Sequence, residues 1–216
     1  LPGEGTYRYE DSPEITYRVS KKLAPEAYRL EVRNNGIRIT SSDDAGAFYA
    51  KQTLSQMIAE KDGTKEVQCC VVNDCPRFGY RGLHFDVSRH FRSLDFLKKQ
   101  VDAMALYKMN RFHWHLTEDQ GWRIEIEAYP KLTSFAAWRP QEKWKDWWYG
   151  DRLYAEEGSE GAYGGYYTKE QLRELVEYAR QRHIEVIPEI EMPGHSEEVL
   201  AAYPELSCKG RPYSQG

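Results

Sequence analysis

Hydrophobic and polar residues alternate along the segment YRLEVRNNGIRIT, residues 28–40. A period of two on either side of Asn-Asn-Gly predicts two β-strands joined by a tight turn. Apolar residues then recur at helical spacing over residues 48–58, after a group of capping residues at 42–44, and Lys-Asp-Gly at 61–63 breaks the pattern. The segment therefore predicts a β-hairpin followed by one helix.

A further strand is predicted over residues 67–72, where apolar residues are concentrated again. The turn-forming sequence Asn-Asp-Cys-Pro follows at residues 73–76. We therefore predict a small α+β domain over residues 1–76 and a second domain over residues 77–216.

The pattern of the second domain is a regular alternation of strands and helices. These elements are predicted over residues 82–87, 94–107, 111–116, 168–182 and 185–190. The order βαβαβ implies a parallel sheet, either of a doubly wound fold or of a (β/α)8 barrel. No Gly-rich phosphate loop follows the first strand, which favours the barrel. Because a whole barrel takes ~250 residues, we predict an incomplete α/β barrel with its first three strands. A complete, smaller α/β domain is the alternative.

Composition and charge narrow the classes of partner. Hydrophobic residues make up 40% of the chain and charged residues 30%, and no apolar run approaches the ~18 residues of a membrane span. The net charge of −4 comes from interspersed acids and bases, so the chain lacks the basic stripe that nucleic acid binding needs. We expect a neutral or weakly charged ligand. The chain begins Leu-Pro-Gly-Glu-Gly, and we expect that any targeting signal has been removed or left out.

The four cysteines predict neither a zinc site nor a disulfide scaffold. They lack paired Cys-x-x-Cys spacing, and two of them are adjacent, so that they would point to opposite faces of a strand. A disulfide is not favoured among Cys69, Cys70, Cys75 and Cys208.

Ionisable residues are concentrated where the three predicted barrel strands end. The clusters are Asp86, Ser88, Arg89 and His90, then His113, His115, Glu118, Asp119 and Gln120, then Glu189, Glu191 and His195. The carboxyl ends of barrel strands carry the active site. A lone Asp-Arg pair is more often a surface ion pair, but three converging clusters favour a functional site. Arg81 lies at the opposite end of the first strand, where we expect a structural role.

All six tryptophans lie between Trp114 and Trp148. Aromatic rings stack on the C–H faces of sugars, and nearby carboxylates and arginine can bind hydroxyl groups, so this composition favours a carbohydrate pocket. The alternative, expected for at least half of the tryptophans, is that they pack a long loop onto the barrel. The loop over residues 138–166 is long for a βα connection and is therefore a candidate functional loop.

His113 and His115 alternate along a predicted strand and so face one side, as in some metal-dependent hydrolases. The run Glu118-Asp119-Gln120 beside them is better suited to binding hydroxyl groups. We therefore predict no metal and no cofactor.

Five segments together resemble the opening half of a family 20 β-N-acetylhexosaminidase barrel. They are YRGLHFDVSRHF (80–91), NRFHWHLTEDQGWRIEI (110–126), YPKLT (129–133), GGYYTKEQL (164–172) and RHIEVIPEIEMPGH (182–195). Residues 28–58 are similar to the small α+β domain that precedes this barrel in the family, so the resemblance covers nearly all of the chain. It implies an exo-acting glycosidase that releases terminal β-linked N-acetylglucosamine or N-acetylgalactosamine.

The resemblance also implies a retaining, substrate-assisted mechanism, in which the 2-acetamido carbonyl of the substrate attacks the anomeric carbon. In the family, a Glu at the end of the fourth strand protonates the leaving oxygen, and the Asp before it stabilises the acetamido group. No Asp-Glu dipeptide occurs among the 216 residues, and the chain ends in what resembles the loop before that strand. We therefore expect a fragment that lacks the catalytic pair and is inactive alone.

Supporting residues are carried over from the resemblance position by position. Arg89 matches an arginine that binds sugar hydroxyls. Glu118 and His195 match a carboxylate and a histidine that form a hydrogen-bonded chain behind the general acid, although many relatives have Asp in place of Glu118. Three further positions match the floor of the substrate pocket: Asp86, His115 and Asp119.

The rival function is a non-catalytic carbohydrate-binding protein that keeps half of a pocket. The expected partner in either case is a glycan or glycoconjugate that contains N-acetylhexosamine, and nucleic acid is not expected. The oligomeric state stays open. Members of the family that the chain resembles usually act in the periplasm, outside the cell or in the lysosome, so we expect such a location.

Overall fold

The structure is a computed structural model that describes residues 5–9 and 13–210. The described residues form two compact units, which are treated separately below. The first unit comprises the residues up to Arg81 together with Asp102–Asn110, and the second comprises Gly82–Val101 together with the residues from Arg111 onward. The domain ranges 1–76 and 77–216 stay a prediction.

The first unit combines one helix with two small sheets. Its elements are β1 (Thr6–Arg8), β2 (Ile15–Val19), β3 (Tyr28–Arg33), β4 (Gly36–Ser41), α1 (Asp44–Met57), β5 (Ala59–Lys61), β6 (Thr64–Gln68) and β7 (Cys70–Asp74). One sheet has the order β2-β4-β3-β7 and the other has the order β1-β6-β5. The α+β character predicted for this part of the chain is therefore confirmed.

The predicted hairpin is formed by the antiparallel strands β3 and β4, with Arg33 paired to Gly36 at the turn. Alternate residues of these strands, including Leu30 and Ile39, are buried in one core together with Tyr49 of α1. Asp43 caps the helix, because its carboxylate accepts a 2.8 Å hydrogen bond from the backbone N–H of Gly46. The hairpin and the capped helix predicted from the local sequence are therefore the ones that pack into the core of this unit.

Helix α1 confirms the predicted helix to within one residue at its end, and residues 59–61 form strand β5, which was not predicted and pairs with β6. One expectation for the first unit was wrong. The single strand expected over residues 67–72 is divided at Cys69 into β6 and β7, which belong to different sheets. A concentration of apolar residues indicates that a segment is extended. Which sheet each half of the segment joins depends on pairing with strands that are distant along the chain.

The second unit contains the parallel strands and the long loops that follow them. Its helices and strands are β8 (Gly82–Asp86), α2 (Leu94–Leu106, whose last turn belongs to the first unit), β9 (Arg111–His115), β10 (Thr117–Glu118), β11 (Gly121–Trp122), α3 (Lys131–Ser134), β12 (Trp138–Arg139), α4 (Trp144–Tyr149), β13 (Tyr163–Gly164), α5 (Lys169–Arg180), β14 (Glu185–Glu189), α6 (Glu197–Ala202) and a 3-10 turn at Pro204–Leu206. The predicted βαβαβ order is confirmed to within two residues at each boundary.

Strands β8, β9 and β14 form one parallel sheet in the order β14-β9-β8. Asp86, His115 and Glu189 are the last residues of the three strands and lie in one row. Neighbours in the chain are thus neighbours in the sheet, as in a barrel. A capping box between Thr168 and Gln171 begins helix α5, which leads into β14.

The two faces of this parallel sheet differ in chemistry. Side chains alternate between the faces. One face is apolar and packs against helices, as shown by the contact between the rings of Phe85 and Phe96 of α2 at 5.8 Å. The other face presents His84, His113, His115 and Glu189. This polar face would line the inside of a barrel.

The four cysteines are free. Among the described residues, no helix combines the length and the apolar character that crossing a membrane requires.

Candidate active site

Arg89 lies just beyond the carboxyl end of β8, in a turn that Asp86 holds. The Asp86 carboxylate accepts backbone hydrogen bonds from Ser88 at 2.9 Å and from Arg89 at 3.0 Å, and it also contacts the Arg89 guanidinium. Burial alone would raise the pKa of Asp86, but the hydrogen bonds and the positive charge of Arg89 hold it below its usual value. Asp86 is therefore ionised and fixes the direction of Arg89.

Glu118 forms an ion pair with the guanidinium nitrogen of Arg89 that does not contact Asp86. It follows β9 in the short hairpin of β10 and β11, and its side chain is only 2% exposed. Arg89 Nη2 lies 2.9 Å from Glu118 Oε2. Burial raises the pKa of Glu118 even though Arg89 and His195 favour its charged form.

His195 contacts Glu118 from the third strand end. It follows Pro193-Gly194 after β14 and has a positive φ of 51°. Its Nδ1 contacts Glu118 Oε1 and lies 3.6 Å from Asp119 Oδ2. The three strand ends therefore bring Arg89, Glu118 and His195 into one chain of contacts, as the strand pattern predicts.

Asp119 belongs to the same group, and its backbone is held by a loop residue. Its Oδ1 accepts a 3.2 Å hydrogen bond from the backbone N–H of Glu197 at the start of α6, and its carbonyl accepts one from the Tyr154 hydroxyl at 2.6 Å. The long loop over 138–166 thus supports the site from one side.

His115 lies beneath Glu118 and is buried. Its Nε2 donates a 2.7 Å hydrogen bond to the Thr117 carbonyl and lies 3.5 Å from Glu118 Oε2. Its Nδ1 faces Glu189 Oε2 at 3.8 Å. His115 therefore lies between Glu118 and Glu189.

Other members of the predicted clusters lie outside this chain of contacts. His90 pairs with the Tyr163 hydroxyl at 3.0 Å. Ser88 is buried and its hydroxyl donates to the Gly121 carbonyl, and the Glu191 backbone N–H donates to Thr117 Oγ1 at 2.7 Å. These residues shape the loops around the site. Arg81 has the structural role expected of it, because it donates to the Lys108 carbonyl at 2.6 Å within the first unit.

Two buried arginines organise the loops, and the sequence patterns did not indicate either of them. Arg123 donates to backbone carbonyls that include those of Ser88 at 2.7 Å and Gly165 at 2.9 Å. Arg139 donates to the Arg89 carbonyl at 2.9 Å. Burial and the charge of Arg139 lower the pKa of Arg123 to about 10, so it is still protonated near pH 7. These arginines fix the backbone that carries Arg89.

Glu198 was also missed by the sequence patterns. It lies in the first turn of α6 and is fully buried, and neither of its carboxylate oxygens has a hydrogen-bond partner among the described residues. Burial, together with the negative charges of Asp119 and Glu118, raises its pKa well above the usual value. Burial and the neighbouring negative charges therefore disfavour the charged form of Glu198.

Trp114, Trp122 and Trp147 are buried, but among these three only Trp147 lies in the loop over 138–166. Trp148 is partly exposed and stacks with Arg152, whose guanidinium carbon lies 3.7 Å from the ring centroid. The loop over 138–166 thus contributes both core and surface aromatic residues.

The site combines an arginine that is 34% exposed with a buried carboxylate and a histidine that is 55% exposed. Arg89 can donate charged hydrogen bonds to hydroxyl groups. Glu118 connects Arg89 to His195 through direct contacts. Three groups of described residues have the composition of cation sites, and one of them is Glu118, Asp119 and His195.

The chain matches two family descriptions in succession. Residues 2–75 match "Glycosyl hydrolase family 20, domain 2" and residues 78–215 match "Glycosyl hydrolase family 20, catalytic domain". Among curated relatives, it is 46% identical over 198 residues to a beta-hexosaminidase of Porphyromonas gingivalis, covering 88% of this chain and 23% of that protein. It is 38% identical over 189 residues to the N,N'-diacetylchitobiase of Vibrio harveyi, covering 86% and 21%.

Solved structures show the same relationship. An exo beta-N-acetylglucosaminidase from Vibrio harveyi, in complex with N-acetylglucosamine, has a TM-score of 0.84 at 29% identity and covers 95% of this chain and 37% of that chain. The Streptomyces plicatus N-acetyl-beta-hexosaminidase has a TM-score of 0.78 at 32% identity, with 100% and 48% covered. The predicted fold class, the first part of a (β/α)8 barrel after a small α+β domain, is confirmed. The chain spans about a quarter to a third of the length of the first curated relatives, with shares of 23%, 33% and 36%.

Proposed function

The chain belongs to glycosyl hydrolase family 20, and from this premise we propose that the whole protein is an exo-acting glycosidase. It releases terminal β-linked N-acetylglucosamine or N-acetylgalactosamine from glycans or glycoconjugates, by a retaining, substrate-assisted mechanism. The observation that carries the proposal is the contact chain Arg89–Glu118–His195 at the carboxyl ends of three parallel strands.

Each residue of this chain of contacts has a distinct part in the proposal. Arg89 donates charged hydrogen bonds to sugar hydroxyls, because Asp86 and Glu118 hold its guanidinium on two sides. Glu118 and His195 lie behind the general acid and help to set its pKa through hydrogen bonding and charge. Asp86, His115 and Asp119 form the floor of the pocket.

The bond-breaking step needs two further acids that these 216 residues do not supply as an Asp-Glu dipeptide. In the proposed mechanism the acetamido carbonyl oxygen of the substrate attacks the anomeric carbon while an acid protonates the leaving oxygen. Water then opens the resulting oxazolinium ring, and the β-configuration is retained. The described residues bind and orient the sugar for this step.

A non-catalytic carbohydrate-binding protein is the second candidate, because the described site residues could bind a sugar without taking part in breaking a bond. Measuring substrate turnover distinguishes a glycosidase from a non-catalytic carbohydrate-binding protein. The whole protein should hydrolyse 4-nitrophenyl N-acetyl-β-glucosaminide but leave 4-nitrophenyl β-glucoside intact, because the glucoside lacks the acetamido group. NMR of the released sugar should first show the β-anomer. Binding of N-acetylglucosamine without turnover would support the second candidate, and equal hydrolysis of both substrates would contradict the substrate-assisted mechanism.

We further propose a periplasmic, extracellular or lysosomal location, because such locations are usual for this family. Fractionation of the native cells, followed by immunodetection, tests this.

A further inference from the structure

Two histidines and one glutamate converge on the polar face of the parallel sheet, and the proposed hydrolysis uses none of them. His84 lies on β8, His113 is paired with it in register on β9, and Glu189 ends β14. The Nε2 atoms of His84 and His113 lie 3.1 Å and 2.7 Å from the same oxygen, Glu189 Oε2. The two imidazole rings are 4.5 Å apart between centroids.

This geometry is close to that of a transition-metal site. Zinc is bound tetrahedrally at about 2.0–2.2 Å by imidazole nitrogen and carboxylate oxygen, which places neighbouring ligand atoms about 3.3 Å apart. The ligand atoms of His84, His113 and Glu189 all lie within 4.8 Å of one another. Small rotations of side chains that are partly exposed would open enough room for one ion.

His115 provides a second and independent observation. Its Nε2 donates to the Thr117 carbonyl, which leaves Nδ1 facing Glu189. Nδ1 is buried, has no hydrogen-bond partner among the described residues and faces Glu189 Oε2 at 3.8 Å. A buried polar atom without a protein partner is uncommon, and a bound ion nearby is one explanation of such an atom.

We propose that the protein binds one divalent transition-metal ion of the zinc class through His84 Nε2, His113 Nε2 and Glu189 Oε2. The ion joins three adjacent strands and so stabilises the sheet. His115 separates it from Glu118, and the ion takes no part in breaking the glycosidic bond. The expectation of no metal weighed His113 with His115 along one strand, whereas the structure assigns His84 from the neighbouring strand as the partner of His113.

Zinc titration of the whole protein, freed of metal by a chelator, tests the proposal. Calorimetry should give one Zn²⁺ per chain, and added Zn²⁺ should raise the Tm. His84→Gln and Glu189→Gln should each weaken binding by at least about 10-fold. His84 is 51% exposed, so its replacement should leave the fold intact. His183→Asn is the matched control, because it removes a histidine elsewhere and Asn tolerates the positive φ of 57° at that position.

Three results would overturn the proposal. One is equal Zn²⁺ affinity in the His84→Gln variant and the parent protein, and another is the absence of a zinc complex in either. The third is binding at other ligands. Loss of binding in Glu118→Gln instead of His84→Gln would place the ion on Glu118, Asp119 and His195. A thiolate-to-metal charge-transfer band with Co²⁺ would place it on cysteines.

Discussion

Arg89 Nη2 lies 2.9 Å from Glu118 Oε2, and this contact joins the loop after the first parallel strand to the loop after the second. Glu118 is almost completely buried, and Arg89 and His195 are partners of its carboxylate. The guanidinium keeps part of its surface exposed. One pair of residues therefore both satisfies a buried charge and presents hydrogen-bond donors towards the site.

Replacing Arg89 with Ala in the whole protein should lower kcat/KM by an amount equivalent to about 2–4 kcal/mol of transition-state binding. The sugar hydroxyls lose a charged donor, and Glu118 loses its partner. Arg89→Lys should restore only part of the activity, because an ammonium group lacks the planar fork that contacts Asp86 and Glu118 together. Steady-state kinetics with 4-nitrophenyl N-acetyl-β-glucosaminide measure the effect.

The matched control is Arg92→Ala, which removes an exposed arginine three residues further along the same loop. It should leave kcat/KM within about twofold of the parent. An Arg89→Ala variant with the parent's kcat/KM would remove Arg89 from the site.

The 216-residue chain by itself should show no turnover of the chromogenic substrate above the buffer blank. The family's acid pair is absent from it as an Asp-Glu dipeptide, and a general acid alone contributes about 10²–10⁴ in rate. Strands β8 and β14 also present unpaired edges in the described sheet, so the chain alone should bind an apolar dye and aggregate. Turnover by a monomeric form of this chain would show that another residue acts as the acid.

Glu198 should make stability depend on pH in a defined direction. Its raised pKa means that the folded protein holds a proton that the unfolded chain has released above about pH 4.3. Unfolding then releases a proton, so this contribution to stability is complete at lower pH and is lost as the pH rises towards the folded pKa. Relative to Glu198→Gln, the parent should lose up to about 1.4 kcal/mol per pH unit over that window.

Urea unfolding of the whole protein and of Glu198→Gln at several pH values between acid and neutral measures this difference. Glu205→Gln removes an exposed glutamate a short distance further along the chain and serves as the control. Parallel stability curves for the parent and Glu198→Gln would show that Glu198 is charged or hydrated in the folded protein.

Arg123→Met should destabilise the protein by about 3 kcal/mol or more. The buried carbonyls of Ser88 and Gly165 would lose their donor, and each unsatisfied buried group costs about 1–3 kcal/mol. Arg123→Lys should recover little, because an ammonium group has fewer donors and no planar geometry. Denaturant unfolding gives the free energies. Arg173→Met, at a position 73% exposed on α5, should change stability by no more than about 0.5 kcal/mol.

The sequence by itself determined the hairpin and helix of the first unit, the order βαβαβ of the second unit, and the edge of the sheet at which the site lies. Periodicity is a local property, so the strand pairs and helices could be predicted from neighbouring residues. The carboxyl ends of neighbouring parallel strands share one edge, and this rule placed Arg89, Glu118 and His195 together before any contact was known. The resemblance to family 20 glycosidases then suggested the roles of the residues at that edge of the sheet.

Only the tertiary structure decided which groups are buried and which side chains meet. Arg123 and Glu198 look like surface residues in the sequence, because a charged residue on a helix or in a loop is normally solvated. Their burial depends on loops that are distant along the chain. The pairing of His84 with Glu189 likewise depends on the register of β8 and β14 against β9, and the break at Cys69 depends on which sheet each strand joins. Such long-range contacts leave no trace in local spacing, because each residue's partner is set by the packing of the whole unit.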